Sequence, residues 1–202
     1  MITRMKYNLF SQFVAAALAV TSIAAHAGLR EANEAMAAKD YATALKEFDP
    51  LAAKGDANAQ FQLGEMYNNG IGLPRDEKMA VSWYLKSAEQ GYAEAQNMLG
   101  IMYENGAGVT LDYKKAASWY RKAAEQGAAE AQSALGALYV NGSGVPVSLV
   151  QALKWFTLAA STGYEIGQQN VKEIEPKMSK KQIEEARALV LQWQKSHGKQ
   201  RL

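Results

Sequence analysis

The sequence predicts an all-α protein built as a solenoid of helix-turn-helix repeats. Residues 55–90, 91–126 and 127–162 align under one another without a gap, and their first glycines lie 36 residues apart. A fixed period of this length is typical of repeat architectures, in which each unit buries its apolar side against the next. Several residue types also return at the same offset in every segment: Ala59, Ala95, Ala131; Gln60, Gln96, Gln132; Leu63, Leu99, Leu135; Gly64, Gly100, Gly136; Tyr67, Tyr103, Tyr139; Trp83, Trp119, Trp155.

The first 27 residues have the pattern of an export signal. Arg4 and Lys6 precede an almost wholly apolar run, which closes with an Ala-His-Ala tripeptide ending at Ala27. Small residues at these places suit a signal peptidase, and the run is shorter than the roughly 20 apolar residues that span a bilayer. We therefore expect residues 1–27 to be a signal peptide that is cleaved off, rather than an uncleaved membrane anchor. The mature chain would begin at Gly28, be periplasmic or secreted, and have no stable membrane insertion.

Charge and cysteine content exclude several classes of partner and cross-link. The formal net charge of +2 corresponds to Arg4 and Lys6, because residues 1–27 contain no Asp or Glu and the remainder is formally neutral. Nucleic-acid binding requires a basic surface, so we expect no nucleic acid as a partner. The chain has no cysteine, which excludes a disulfide framework and a lipid-modified cysteine. An exported domain of this kind must be stabilised by packing alone.

A capping helix pair is predicted before the array, at residues 28–54. Its helices are expected at residues 31–38 and 41–48, joined by a turn that is not glycine-rich. Pro50 is expected to break the second helix before a last short turn, because proline is tolerated at the first position of a helix but not inside it. The pair would cover the apolar end of the first repeat.

Each repeat is predicted to be two helices joined by a glycine-rich turn. Asn-Gly pairs end the first helices, where glycine takes a left-handed conformation, and Asp76, Asp112 and Ser148 are expected to cap the second helices. The glycines inside the first helices, at the position of Gly100, predict close approach of another helix. The repeated Trp-Tyr pairs, such as Trp119-Tyr120, are predicted to be core.

The segment 163–202 is predicted to be a degenerate fourth repeat followed by a capping helix. Gly163 keeps the repeat phase, but charged residues replace the glycine, tyrosine and asparagine of the other units. A capping box of Ser179 and Gln182 introduces an amphipathic last helix. A polar terminal unit is what an open-ended stack requires.

One run of residues resembles a known family. The segment 95–109, followed by Asp112, Ala116, Trp119 and Tyr120, is similar to the Sel1-like repeat, a relative of the tetratricopeptide repeat. The resemblance implies a right-handed α-solenoid and a non-catalytic adaptor that binds other proteins, often in the bacterial envelope. Some exported relatives are cysteine-rich and bind penicillin weakly. This chain has no cysteine, so it departs from that branch and a weak hydrolase is disfavoured.

A partner site is predicted on the first helices, where the repeats differ from one another. Residues that are identical in all three repeats are explained by packing. Those that differ between repeats lie three or four residues apart, on one face of the helix. We expect this face to be concave, to lie off the packing stripe and to suit a peptide with basic and apolar residues. Its residues are Asn58, Phe61, Gln62, Glu65, Asn68, Glu94, Asn97, Met98, Ile101, Glu104, Glu130, Ser133, Ala134, Ala137 and Val140.

Catalysis is not expected from this sequence. His197 is the single histidine after residue 27, in a basic stretch that is expected to be solvated, so clustered His and Cys ligands for a metal are lacking. No serine lies in a nucleophile-elbow pattern, and neither a catalytic residue nor a cofactor is predicted. Two binding functions remain open: a periplasmic adaptor or regulator, and an immunity protein or inhibitor that neutralises a toxin. We expect a monomer with a protein or peptide partner.

Overall fold

The computed structural model describes residues 27–197, and this part of the chain is helical without a β-strand. The export segment, apart from Ala27, lies outside the described residues, as do Lys199 and Arg201. In this range ten α-helices and one 3-10 turn follow in order: α1 (27–37), α2 (Tyr41–Ala53), α3 (Ala57–Asn69), α4 (Glu77–Glu89), α5 (Ala93–Asn105), α6 (Tyr113–Glu125), α7 (Ala129–Asn141), α8 (Leu149–Ser161), α9 (Glu165–Ile174), the 3-10 turn (Glu175–Lys177) and α10 (Lys180–His197). We call α3, α5 and α7 the A helices, and α4, α6 and α8 the B helices.

The predicted helix caps are confirmed. Asp76, Asp112 and Ser148 each accept a hydrogen bond from a backbone N–H in the first turn of their B helix. Such a bond satisfies one of the four donors that a helix start leaves unpaired. The box before α10 is complete, because Ser179 Oγ accepts from the N–H of Gln182 while Gln182 Oε1 accepts from the N–H of Ser179.

The glycines inside the A helices receive an aromatic ring from the B helix of the same unit. A Cβ atom at Gly100 would overlap Cδ1 of Tyr120, and Gly64 and Gly136 face Tyr84 and Phe156 in the same way. The predicted close approach is thus confirmed. Each unit is held together by a ring seated on a bare turn of helix.

The second glycine of each turn joins one unit to the previous one. Gly108 has a φ of 69°, and a Cβ atom there would overlap the carbonyl oxygen of Glu77, the first residue of α4. Gly144 meets the carbonyl of Tyr113, the first residue of α6, equally closely. The turn after each A helix therefore rests directly on the start of the preceding B helix, which leaves no room for a side chain.

The core is formed both inside the units and between them. One buried cluster joins α4 to α5 through Val81, Tyr84 and Leu99, and another joins α6 and α7 to α8 through Leu135 and Trp155. Because each unit buries its apolar side only against its neighbours, the stack behaves as a one-dimensional array. Buried glutamines cross the same junctions, since Nε2 of Gln96 donates to the carbonyl of Ala88 at 3.0 Å, with equivalent bonds from Gln60 and Gln132.

One expectation about the capping pair is wrong, and one about the core is wrong in part. Helix α2 runs through Pro50 to Ala53, because the proline lies exposed near the helix end, where the missing N–H and the freed carbonyl can be solvated. Trp83 and Trp119 are only half-buried, and a lysine ammonium lies over each ring at 3.9 and 3.8 Å. Trp155 is core, with 2% of its surface exposed, and so are Tyr84 and Tyr120, so the expectation fails only for two of the tryptophans.

Candidate functional site

The A helices form one continuous surface, which we call the A face. Helices α5 and α7 contact each other directly, as do α7 and α9. Side chains from successive units therefore meet on this side of the stack. Two adjoining grooves run along it, and they share Asn97 and Glu130.

The first, which we call the acidic groove, encloses about 640 Å³ between α3, α5 and the start of α7. Six residues of the predicted partner site line it: Phe61, Glu65, Glu94, Asn97, Met98 and Glu130. The remaining lining comes from Ala93, from residues 126–128, the loop that leads into α7, and from Ala129, the first residue of α7. The variable positions of three units thus contribute to one cleft that contains carboxylates and apolar groups together.

The second, which we call the apolar groove, encloses about 390 Å³ between α5, α7 and α9. The predicted residues Ile101, Ser133, Ala134 and Ala137 line it together with the shared pair. Ile101 and Ile166 are exposed by 36% and 50%, so the groove presents apolar surface to solvent. Tyr120, Tyr164 and Asn170 complete the lining.

The floor of the acidic groove is continuous with the core. The ring of Phe61 lies 5.8 Å from the ring of buried Tyr84 and 5.3 Å from that of Tyr92, both in tilted contact. Met98 also packs against the cluster between α4 and α5. The expectation that these variable side chains lie off the packing stripe is therefore wrong for Phe61 and Met98.

The carboxylates of the A face fall into two kinds. Glu104 Oε2 accepts a hydrogen bond from the hydroxyl of Tyr120 at 2.6 Å, and Glu65 accepts one from Tyr84. Burial, followed by these carboxylate contacts, raises the pKa of both tyrosines far above its usual value. Glu94 and Glu130, by contrast, are exposed and form none of the ion pairs found within residues 27–197.

The other predicted residues lie outside the grooves, or their side chains already hydrogen-bond or pack with other residues of the chain. Asn58 donates from its amide to the hydroxyl of Tyr92 at 3.0 Å, and the buried Ser133 hydroxyl accepts from Asn170 at 3.0 Å. Val140 packs against the cluster formed by α8, α9 and α10. Gln62 and Asn68 are half-buried and line neither groove.

Sequence comparison of the repeats missed two parts of the lining. The loop 126–128 was overlooked because only the first helices were compared, and α9 was overlooked because its unit has diverged. Ile166 stands at the offset of Glu94 and Glu130, so the preserved phase of Gly163 was the signal that could have revealed it.

His197 does not have the solvated setting expected of it. Its ring stacks on Trp193 with centroids 4.2 Å apart, and its Nε2 lies 3.4 Å from Glu125. Within residues 27–197, no three His, Cys, Asp or Glu side chains are grouped so as to hold a metal ion. In the same part of the chain, no helix combines the length and apolar character needed to cross a membrane.

The family can now be assigned. The profile described as Sel1 repeat matches three consecutive segments, residues 57–92, 93–127 and 129–164, which together exceed half of the chain. The chain belongs to the Sel1 repeat family. These segments begin two residues later than the units at 55, 91 and 127, so they start at the A helices themselves. Sel1 repeat proteins generally mediate protein–protein interactions and act as non-catalytic scaffolds.

Three of the solved structures similar to this Sel1 repeat protein are bacterial. A Sel1 repeat protein from Oxalobacter formigenes is 36% identical, with a TM-score of 0.68 over 71% of this chain and 59% of its own. The protective antigen c5321, present in uropathogenic Escherichia coli strains and displaying an SLR fold, is 32% identical, with a TM-score of 0.50 over 76% of this chain and 41% of its own. Helicobacter pylori cysteine rich protein B is 26% identical, with a TM-score of 0.50 over 61% of this chain and 94% of its own. No curated protein gave a significant match.

Proposed function

We propose that this Sel1 repeat protein is a non-catalytic adaptor or regulator of the bacterial periplasm that binds a protein partner on the A face. The observation that carries the proposal is the acidic groove, where variable residues of three units line one cleft. Glu94 and Glu130 are exposed and are not needed for the packing of the stack, so they are free to specify a ligand, and open solenoids present such surfaces to partners. The chain spans only 59% and 41% of the first two similar structures, so partners are not transferred from them.

The periplasmic location is proposed from the N-terminal segment. Arg4 and Lys6 before an apolar run, and the small residues at Ala25 and Ala27, match the requirements of export and cleavage. Mass spectrometry of the protein from the cell envelope is expected to give Gly28 as its first residue. An Ala27→Asp variant should retain its N-terminus, because the peptidase accepts only a small uncharged side chain there. An intact Met1 in the unaltered envelope protein would contradict export with cleavage.

The binding site is tested in intact cells by site-specific photocrosslinking. A photoreactive residue at Ile101, exposed on the A face, should capture one discrete partner, whereas one at Leu191, which is 57% exposed on α10, should not. An Ala129→Trp substitution would place a large ring in the acidic groove and should abolish the capture at Ile101. Capture that persists in the Ala129→Trp variant would show that the partner does not occupy the acidic groove. Capture that is equally strong from Leu191 would show that the A face is not the site.

A further inference from the structure

We propose that the A face binds a basic segment of the partner protein, which places a lysine or arginine against Glu130 and an apolar side chain in the apolar groove. This inference rests on the proposed function, because it names the chemistry of the partner on the same face. Two independent features carry it. One is the division of charge between the two layers of helices, and the other is the position of Glu130 where the two grooves meet.

Charge is divided unequally between the two layers of the stack. The three A helices contain no lysine or arginine, and their charged side chains are Glu65, Glu94, Glu104 and Glu130. The B helices contain three acidic side chains and seven basic ones: Lys78, Lys86, Lys114, Lys115, Arg121, Lys122 and Lys154. A chain that is formally neutral after residue 27 is therefore acidic along its A helices and basic along its B helices.

The grooves offer no positive charge to a ligand. No lysine or arginine of residues 27–197 lines either groove, and Glu94 and Glu130 are exposed and form none of the ion pairs of that range. Their charge acts on neighbouring groups, because after burial Glu94 is the main cause that raises the pKa of Tyr92, and Glu130 does the same for Tyr164. A carboxylate brought to this face is repelled, whereas a lysine or arginine is attracted.

Glu130 links the acidic groove to the apolar groove. It lines both of them, as does Asn97. Beyond this junction the lining of the apolar groove includes Ile101 and Ile166, and both isoleucines are exposed to solvent. A segment whose cation is held at Glu130 therefore lies directly beside uncovered apolar surface, and covering that surface removes it from water and contributes affinity.

The two glutamates also have a structural role, and this role determines the control. Glu94 and Glu130 lie in the first turn of α5 and α7, whose starts have no side-chain cap, so each carboxylate also stabilises its own helix through the helix dipole. Glu165 has the same setting, because it is exposed in the first turn of α9, which has no side-chain cap either, but it lines neither groove. Binding that is weakened by Glu130→Gln and not by Glu165→Gln therefore depends on contact with the ligand.

Selection from a random peptide library displayed on phage tests the inference, with the full-length protein as bait. Such a library presupposes neither a conformation nor a spacing of the basic residues. We expect the selected peptides to be enriched in lysine, arginine and apolar residues, and depleted of aspartate and glutamate, relative to the unselected library. The tightest selected peptide is then labelled, and its affinity for the protein and its variants is measured by fluorescence anisotropy.

The variants test the two halves of the site separately. Glu94→Gln and Glu130→Gln should each weaken the binding of that peptide about 2- to 5-fold and reduce the salt dependence of its affinity. The control Glu165→Gln should leave the affinity unchanged. Ile166→Ser should weaken binding about 3- to 10-fold, because less apolar surface is covered. Circular dichroism of each variant shows whether its helicity is retained.

The outcomes separate this inference from the proposed function. Selected peptides without an excess of lysine and arginine would overturn the inference, as would equal effects of the groove variants and the control. In either case, crosslinking at Ile101 that Ala129→Trp abolishes would leave the proposed function standing. A selection that recovers no peptide, alongside that crosslinking, would also overturn the inference alone. Peptide binding that neither Ala129→Trp nor Ile166→Ser changes, together with equally strong crosslinking from Leu191, would overturn both.

Discussion

Nε2 of Gln126 donates a hydrogen bond to Oε1 of Gln96, thirty residues earlier in the chain, at 2.8 Å. The same bond joins Gln90 to Gln60 at 2.8 Å in the preceding unit. In the third unit Thr162 stands at this place, and Oε1 of Gln132 is buried without a hydrogen-bond partner in the described part of the chain. A hydrogen bond between two glutamines thus connects the end of the B helix to the A helix in the first two units. The equivalent bond is absent from the third unit.

Restoring this hydrogen bond in the third unit should stabilise the protein. Thr162→Gln is expected to raise the free energy of unfolding by about 1 kcal/mol, because a buried acceptor gains its donor. Thr162→Glu is the matched control, since it has the same size but brings an acceptor that cannot donate to Gln132 when ionised. Urea unfolding followed by circular dichroism measures both variants. Equal stability of the two would show that the new side chain acts through size alone.

The contact between Gly100 and Tyr120 predicts a reversal of sign in a double-mutant cycle. Gly100→Ala should destabilise the protein by about 1–3 kcal/mol, because its Cβ would overlap the buried ring. In a Tyr120→Ala background the same change should stabilise it by up to about 1 kcal/mol, through the higher helix propensity of alanine. Thermal melts of the four proteins give the coupling energy. Additive effects would contradict the proposed contact.

The two tryptophan environments predict unequal costs of truncation. Trp155→Ala should lower the free energy of unfolding by about 3–5 kcal/mol, because it leaves a cavity at a fully buried site. Trp119→Ala should cost less, since that ring is half-buried, whereas the lysine over each ring is common to both, Lys122 at 3.8 Å and Lys154 at 3.9 Å. Chemical unfolding of both variants tests the order, and an equal loss would mean that both rings belong to the core.

Alkaline pH should unfold the protein through its buried tyrosines. Burial, then the Glu104 contact, raises the pKa of Tyr120 above its unfolded value of about 10. The unfolded state therefore loses this proton first, so the stability is fully present below pH of about 10 and is lost as pH rises beyond it. Tyr120→Phe should reduce this loss, and Tyr113→Phe, at an exposed ring, should not. The slope of unfolding free energy between about pH 9 and 11 is the measurement.

The third unit indicates that the Tyr120→Phe variant should still fold. Phe156 occupies the place of Tyr120 in that unit, and Val140 stands where Glu104 stands in the second. The ring and its partner have thus changed together, since a ring without a hydroxyl needs no acceptor. In the first unit the hydroxyl of Tyr84 donates to Glu65 instead, which lies about one helical turn before the position equivalent to Glu104.

The sequence by itself determined the fold class, the length of the units and the helix caps. These features depend on local chemistry and on a 36-residue period. The helix cap at Asp112 and the close helix approach at Gly100 could therefore be predicted from the sequence. The variable positions also indicated a common face, because residues three or four apart on one helix share a side.

Only the tertiary structure decided which of those residues are available to a partner. Asn170 from the divergent fourth unit covers Ser133, and Tyr84 packs on Phe61, although neither contact follows from a helical pattern. It also showed that the loop before α7 and Ile166 complete the grooves. Burial depends on groups brought together from distant parts of the chain, whereas periodicity reports only the side of a helix on which a residue lies.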